Sequence, residues 1–320
     1  MSYANGQTSS LSSSGYIFQA KTEEAFVIKI LGELLSNRLQ FARFKVNENG
    51  IFLLQTDRKT PSEQLIEISL LRENFSPYKC TKQLVFSVST TNLYKMLKCI
   101  KKKDAIRLYI HEDDPSILGI CVEQMNENNR VLTNIKITNT HLEDIIRPEG
   151  YDTPIIIPSK QFQKMKNLHN ISKIMVITSK LNYIRFFCDG GELYSRELVI
   201  GNENDEDNCH IKRLYKQEFN TEFITGLTKC AGQSGSVSVY VDEENGLKIK
   251  MKAGGLGDLI VYIKSKELID YEKEEKGRTA SDENLEERIS DMTIRDDNDD
   301  DDDEEPTKKI QAKRASKKKL

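Results

Sequence analysis

The chain has 320 residues, more than one hydrophobic core usually serves, so two globular units with tails are expected. The formal net charge of −3 is uneven: residues 271–320 are net −5, which leaves the preceding part near +2, too weakly basic to announce a nucleic-acid partner by charge alone. Six scattered cysteines without a C-x-x-C pair, and no apolar run of the ~18 residues a membrane span needs, exclude a zinc ribbon, a disulfide scaffold and a membrane partner, and point to a soluble chain in a reducing compartment.

Residues 1–15 are rich in Ser and Gly and are expected to be disordered. From Tyr16 a short opening strand leads to a helix over Glu24 to Leu39, followed by strands at Phe41 to Val46 and Leu65 to Leu71, with Asn49-Gly50 suited to a tight turn. A second helix spans Thr91 to Lys101. Its stripe of Leu93, Met96, Leu97 and Ile100 leaves Lys95, Lys98 and Lys102 on the opposite face. Strands follow at Ala105 to His111, Ile117 to Glu123 and Arg130 to Ile137, the first alternating most clearly. Residues 138–153, with Pro148 and Gly150, read as a connection between halves.

The second half repeats the order: a helix at Ser159 to Leu168, strands at Ile174 to Thr178 and Leu193 to Ile200, and a helix at Thr221 to Lys229. Strands at Ser236 to Val241, Leu247 to Met251 and Asp258 to Ile263 complete it. Two helices end in Lys-Cys, at Lys98-Cys99 and Lys229-Cys230, just before an alternating strand. The reading is an α+β chain of two similar domains, 16–137 and 154–268, each with two helices on antiparallel sheet. Residues 269–320 are expected to be a disordered tail, acidic at Asp296 to Glu305 and basic at Lys308 to Lys319.

The segment from Thr91 to Lys103 holds Lys95, Lys98, Lys101, Lys102 and Lys103 with no acid, and that from Ser159 to Lys173 holds Lys160, Lys164, Lys166 and Lys173, again with none. A basic helix is most often a solvated face, but such faces usually mix signs because Glu and Lys pairs stabilise them. Two acid-free helices therefore point to phosphates. Lys29, Arg38, Lys216 and Lys229 extend the set against nearby acids. Lysine, a flexible point charge, suits sequence-independent contact with duplex DNA better than base reading.

No enzyme chemistry converges. His111, His141, His169 and His210 are isolated, Cys209-His210 would point to opposite faces of a strand, and Gly254-Gly255-Leu256-Gly257 lacks the Gly-Lys-Ser/Thr ending of a phosphate loop. No cofactor or metal is expected.

Cys80 to Cys99 (CTKQLVFSVSTTNLYKMLKC), preceded by Phe75 and Tyr78, resembles the signature stretch of the proliferating cell nuclear antigen family of sliding clamps. Pro158-Ser159 with Phe162, and Leu142-Glu143 with Pro148-Glu149, are similar to that family's third helix and interdomain connecting loop. The resemblance covers about Tyr16 to Lys266. It implies the DNA-clamp fold, a homotrimeric ring around DNA, and pairing of Arg130 to Lys136 of one subunit with Leu193 to Ile200 of the next. It also implies a pocket for short peptide motifs of DNA polymerase, clamp loader, ligase and nuclease, walled by Leu54, Ile145, Ile146, Pro148, Tyr262 and Ile263. Arg147, and Lys264-Ser265, depart from the family's pattern there. The alternatives are a checkpoint-type heterotrimeric clamp subunit and a monomeric viral processivity factor, and the expected location is the nucleus or a viral replication compartment.

Overall fold

The structure is a computed structural model that describes residues 15–57, 62–125, 129–180, 183–201 and 214–276. Cys209-His210, the tail beyond 276 and residues 1–14 lie outside the described residues. The chain divides into a unit Met1–Glu272 and a unit Lys273–Leu320.

In chain order the first half contains β1 (Tyr16–Thr22), α1 (Ala25–Arg38), β2 (Phe41–Asn47), β3 (Gly50–Thr56), β4 (Gln64–Leu71), β5 (Tyr78–Cys80) and β6 (Leu84–Ser89). It continues with α2 (Thr90–Leu97), β7 (Ala105–His111), β8 (Ile117–Gln124), β9 (Asn129–Lys136) and β10 (Thr138–Asn139). The second half contains β11 (Ile155–Pro158), α3 (Ser159–Phe162), β12 (Ile174–Lys180), β13 (Tyr183–Asp189), β14 (Ser195–Ile200) and β15 (Tyr215–Asn220). It ends with α4 (Thr221–Thr225), α5 (Thr228–Ala231), β16 (Ser236–Asp242), β17 (Gly246–Lys252) and β18 (Gly257–Ile263).

All pairings are antiparallel among the described residues, and they form three sheets. One runs β5-β1-β7-β8-β9, another β14-β13-β12-β15. The third runs β10-β6-β2-β3-β4-β18-β17-β16-β11, so the halves meet where β4 pairs with β18 from Gly257↔Leu70 to Ile263↔Gln64. The halves also share a device: β6 and β15 each run straight into a helix capped by the preceding side chain, Ser89 accepting from the Asn92 N–H and Asn220 from the Glu222 N–H.

α1 buries Ala25, Val27, Ile28, Ile30, Leu31, Leu34 and Leu35, leaving Lys29, Glu33 and Asn37 as a polar stripe at i, i+4 spacing. Gly32 lets α2 come close: a Cβ there would lie 2.7 Å from Leu97 Cδ1. Gly246, at φ 75, makes the β16–β17 turn, where a Cβ would lie 2.6 Å from the Ile263 carbonyl.

The helices are shorter than periodicity predicts. α2 stops at Leu97, so Lys101, Lys102 and Lys103 lie in the turn before β7. Local hydrogen bonding makes that turn: Asp104 Oδ2 accepts from the Lys101 N–H at 2.8 Å. The third helix is α-helical only over Ser159–Phe162 and then tightens to 3-10 geometry over Gln163–Asn167. The fourth breaks at Gly226 and Leu227, and the Thr225 and Thr228 hydroxyls bond back to the Thr221 and Thr225 carbonyls, the local competition that weakens helices. Residues 266–272 are helical, so regular structure continues past residue 269, with the Ser265 hydroxyl accepting from the Leu268 N–H.

Candidate functional site

Two constellations merit description: the polar side of the helical layer, and a groove beside residues 138–154.

In the helical layer α1 packs on α2 and α5, and α5 on the Gln163–Asn167 turn. Lys95, Lys98, Lys102, Lys103, Lys160, Lys164 and Lys166 are exposed. Lys98 lies over the Tyr94 ring at 5.2 Å, which leaves its charge in water while the stem packs. Lys101 is exposed as well. Other members are held by the protein itself. Lys29 Nζ donates to the Lys98 and Ile100 carbonyls at 2.9 and 2.8 Å, tying down the negative end of α2. Lys229 pairs with Glu33, and that hydrogen bond holds its ammonium above the usual lysine range. Arg38 is 7 % exposed, with Nη2 on the Glu222 carbonyl at 2.7 Å, Nη1 on the Glu222 carboxylate at 3.1 Å and its guanidinium over Phe223 at 4.9 Å. Burial pushes its pKa down, with Glu222 opposing. Lys216 stands apart: it alternates with buried Tyr215, Gln217 and Phe219, so it faces away from the core side of its sheet.

The layer thus presents seven or more exposed cations from α2, its following turn, α3 and the Gln163–Asn167 turn, while Lys29 and Arg38 act as internal braces. Sequence reading did not distinguish the two classes, since the braces answer to partners 69 and 184 residues away.

The groove is a cavity of about 270 Å3 whose wall includes Ile145, Ile146, Pro148, Tyr262 and Ile263, five of the six residues anticipated. Leu54 is not in the wall. It pairs with Glu67 across β3 and β4, one row beyond the Thr56↔Leu65↔Tyr262 row that does line the cavity. Arg147 is not in the wall either; its Nε and Nη2 each lie 3.1 Å from Glu67 Oε1. Glu67 Oε2 is 3.5 Å from the Tyr262 hydroxyl, and burial, with Glu67 adding to it, pushes that phenol up to about 12.

Further stitches hold the connecting segment to the sheet. Arg43 pairs with Glu143, Asn245 Nδ2 donates to the Glu149 carbonyl at 2.9 Å, and the Tyr151 hydroxyl donates to the Asn245 carbonyl at 3.0 Å. Lys248 Nζ sits 5.3, 4.9 and 5.5 Å from the ring centroids of Tyr151, Tyr240 and Tyr262. Tyr240 and Tyr262 are its direct neighbours across β16 and β18, so strand register builds two sides of this cage and the connecting segment supplies the third. Ile146 remains 92 % exposed, an apolar side chain beside a part-apolar cavity. Sequence reading missed Glu67, Lys248, Glu244 and Asn245. Outward alternation on β4 could have flagged Glu67, but the others required the register.

Among the described residues no group of three His, Cys, Asp or Glu is arranged to hold a metal. The model of the "Proliferating cell nuclear antigen, N-terminal domain" family matches residues 17–144. The chain is 25 % identical over 253 residues to the "Probable DNA polymerase sliding clamp 1" of Paramecium bursaria Chlorella virus 1, covering 77 % of this chain and 96 % of that protein. It is 23 % identical over 257 residues to the "Proliferating cell nuclear antigen" of Chaetomium thermophilum, covering 78 % and 98 %.

Proposed function

We propose that this chain, a member of the proliferating cell nuclear antigen family of DNA sliding clamps, acts as a non-catalytic processivity factor: three copies close head to tail around duplex DNA and tether replication enzymes to it.

The observation that carries the ring is that two different sheets end on partly apolar strands. β9 ends the five-stranded sheet with Val131 and Leu132 exposed, and β14 ends the four-stranded sheet with Val199 exposed. Such edges invite pairing with another chain, and β9 of one copy on β14 of the next covers both at every junction. The interface is then heterologous, and three copies close it. The repeated halves, 16–137 and 154–268, are the two domains of each subunit, joined by 138–153.

The exposed lysines of the helical layer face the enclosed duplex. Their contacts are many, individually weak and indifferent to sequence, so the ring stays linked by topology while it slides. The groove beside 138–153 receives short peptide segments of a polymerase, clamp loader, ligase or nuclease, with Ile145, Ile146 and Pro148 meeting the apolar anchors. The tail's basic block from Lys308 serves nuclear import.

After loading, retention on closed circular DNA should exceed retention on the same DNA linearised, because open ends let a ring slide off. Replacing Lys95, Lys98, Lys164 and Lys166 with Ala should lower stimulation of a polymerase without altering the fold. Equal retention on both DNA forms would overturn the topological reading.

A further inference from the structure

We infer that the core of the first half holds a dry cavity that takes up one compact apolar molecule, of the size of xenon or ethylene. This goes beyond the clamp reading and does not depend on it.

The cavity measures about 70 Å3 and lies where three layers meet: α1 and α2, then β1, β7 and β8 of the five-stranded sheet, then β2, β3, β4 and β6 of the nine-stranded sheet. Its wall contains no polar side chain. Gly32 and Val46 are its two smallest members, every other being Leu, Ile or Phe, so side-chain volume runs short at these two positions. Gly32 does not make up the deficit: a Cβ there would lie 2.7 Å from Leu97 Cδ1, so the close approach of α2 keeps the position bare.

By size a water molecule would fit, but a buried water needs several polar partners and an apolar void stays empty of it. The backbone supplies none, because every strand of the wall is paired on both sides within its sheet and its N–H and C=O groups are spent in those ladders. An empty void leaves its lining atoms without dispersion partners, and an apolar guest restores them. The volume is about half of the ~150 Å3 that admits benzene in an engineered apolar core, which limits the guest to something smaller than an aromatic ring. Phe44 and Leu108 are the only half-buried members of the wall, the rest being buried, so entry runs past one of them. Leu93 and Leu97 belong both to the wall and to the buried face of α2, so an occupant supports the helix that carries Lys95 and Lys98. The alternative is a void that the wall closes in solution by changes of rotamer.

The full chain, isotope-labelled at its Ile, Leu and Val methyl groups, is followed by NMR as xenon pressure is raised. Shifts that saturate with pressure and are confined to wall methyls, such as those of Val46, Leu93 and Leu97, are expected. Val46→Ile, which adds one carbon at the place where the wall is short, should weaken that binding and raise Tm by about 2 °C, the value of one buried methylene in a folded part of this size. Shifts that grow linearly with pressure throughout the core overturn the site. So does saturation left unaltered by Val46→Ile, which places xenon elsewhere. A Val46→Ile variant that melts below wild type overturns the cavity itself, because that is what enlarging a side chain in an already filled core produces.

Discussion

Arg38→Ala separates a structural brace from a phosphate contact. The substitution removes a charge-assisted hydrogen bond to the Glu222 carbonyl at 2.7 Å, a contact with the Glu222 carboxylate, and stacking on Phe223. The carbonyl bond is worth about 1.5–3 kcal/mol, and the stacking contact about 0.5–1 kcal/mol. The carboxylate contact is discounted below about 1 kcal/mol, because the Glu222 side chain is 62 % exposed. Opposing these, the variant relieves the burial of a cation whose Nε lacks a partner. The net is about 2 kcal/mol of destabilisation, and for a folded part of this size about 4–8 °C in Tm. Thermal denaturation followed by circular dichroism measures it. In parallel, the dependence of DNA retention on salt should keep its wild-type slope, since a 7 % exposed guanidinium releases few counterions. A variant that melts like wild type but shows a shallower salt slope would refute the assignment and return Arg38 to the DNA-contacting set.

If the proposed threefold assembly forms, Leu132→Glu in β9 should convert it into monomers by light scattering after gel filtration; a stable wild-type monomer at micromolar concentration would favour the monomeric viral factor. Glu123, held below the usual carboxylate range first by its hydrogen bond from Lys21 at 2.6 Å, contributes stability that is present above the unfolded pKa and lost as pH falls through the lower folded value. Glu123→Gln should therefore lower stability by about 1 kcal/mol at pH 7 and flatten its acid limb in denaturant titrations, and an unchanged limb would show that other carboxylates govern it. Deleting Lys308 to Leu320 should leave assembly and loading intact but abolish nuclear accumulation of a fluorescent fusion; loading that fails with the deletion would assign the tail a different role.

Alternation and helical periodicity were enough to read many elements of the chain, because each depends on neighbours within a few residues, but β3, β6, β13 and β15 were not read from them. Ala105 to His111 is a strand over the anticipated span, all four helices occur, and the apolar stripe that begins at Leu93 buries Leu93, Leu97 and Ile100 as its spacing requires. The acid-free lysine segments were equally plain, and the Cys80 to Cys99 stretch carried the resemblance to the family whose N-terminal domain model matches residues 17–144. Helix ends were not legible: the end of α2 is met by Lys29 from a distant helix, and the local Thr225 and Thr228 back-bonds that weaken the fourth helix leave no mark in apolar periodicity.

Tertiary structure alone decided which cations are available and where the groove stops. Arg38 and Lys95 are both basic residues on helices, yet one is sealed against Glu222 and Phe223 and the other stands in solvent, a difference made by α4 approaching the end of α1 across more than 180 residues of chain. The Lys248 cage and the Arg147–Glu67 ion pair arise in the same way. Tyr240, Lys248, Tyr262 and Glu67 are placed by the register of β16, β17, β18 and β4, so a slip of one residue would turn them to the other face, while Tyr151 and Arg147 reach them from the connecting segment. Local sequence fixes what each side chain is able to do; long-range strand pairing fixes which partner it meets, and that pairing is specified by the burial of whole faces rather than by any single motif.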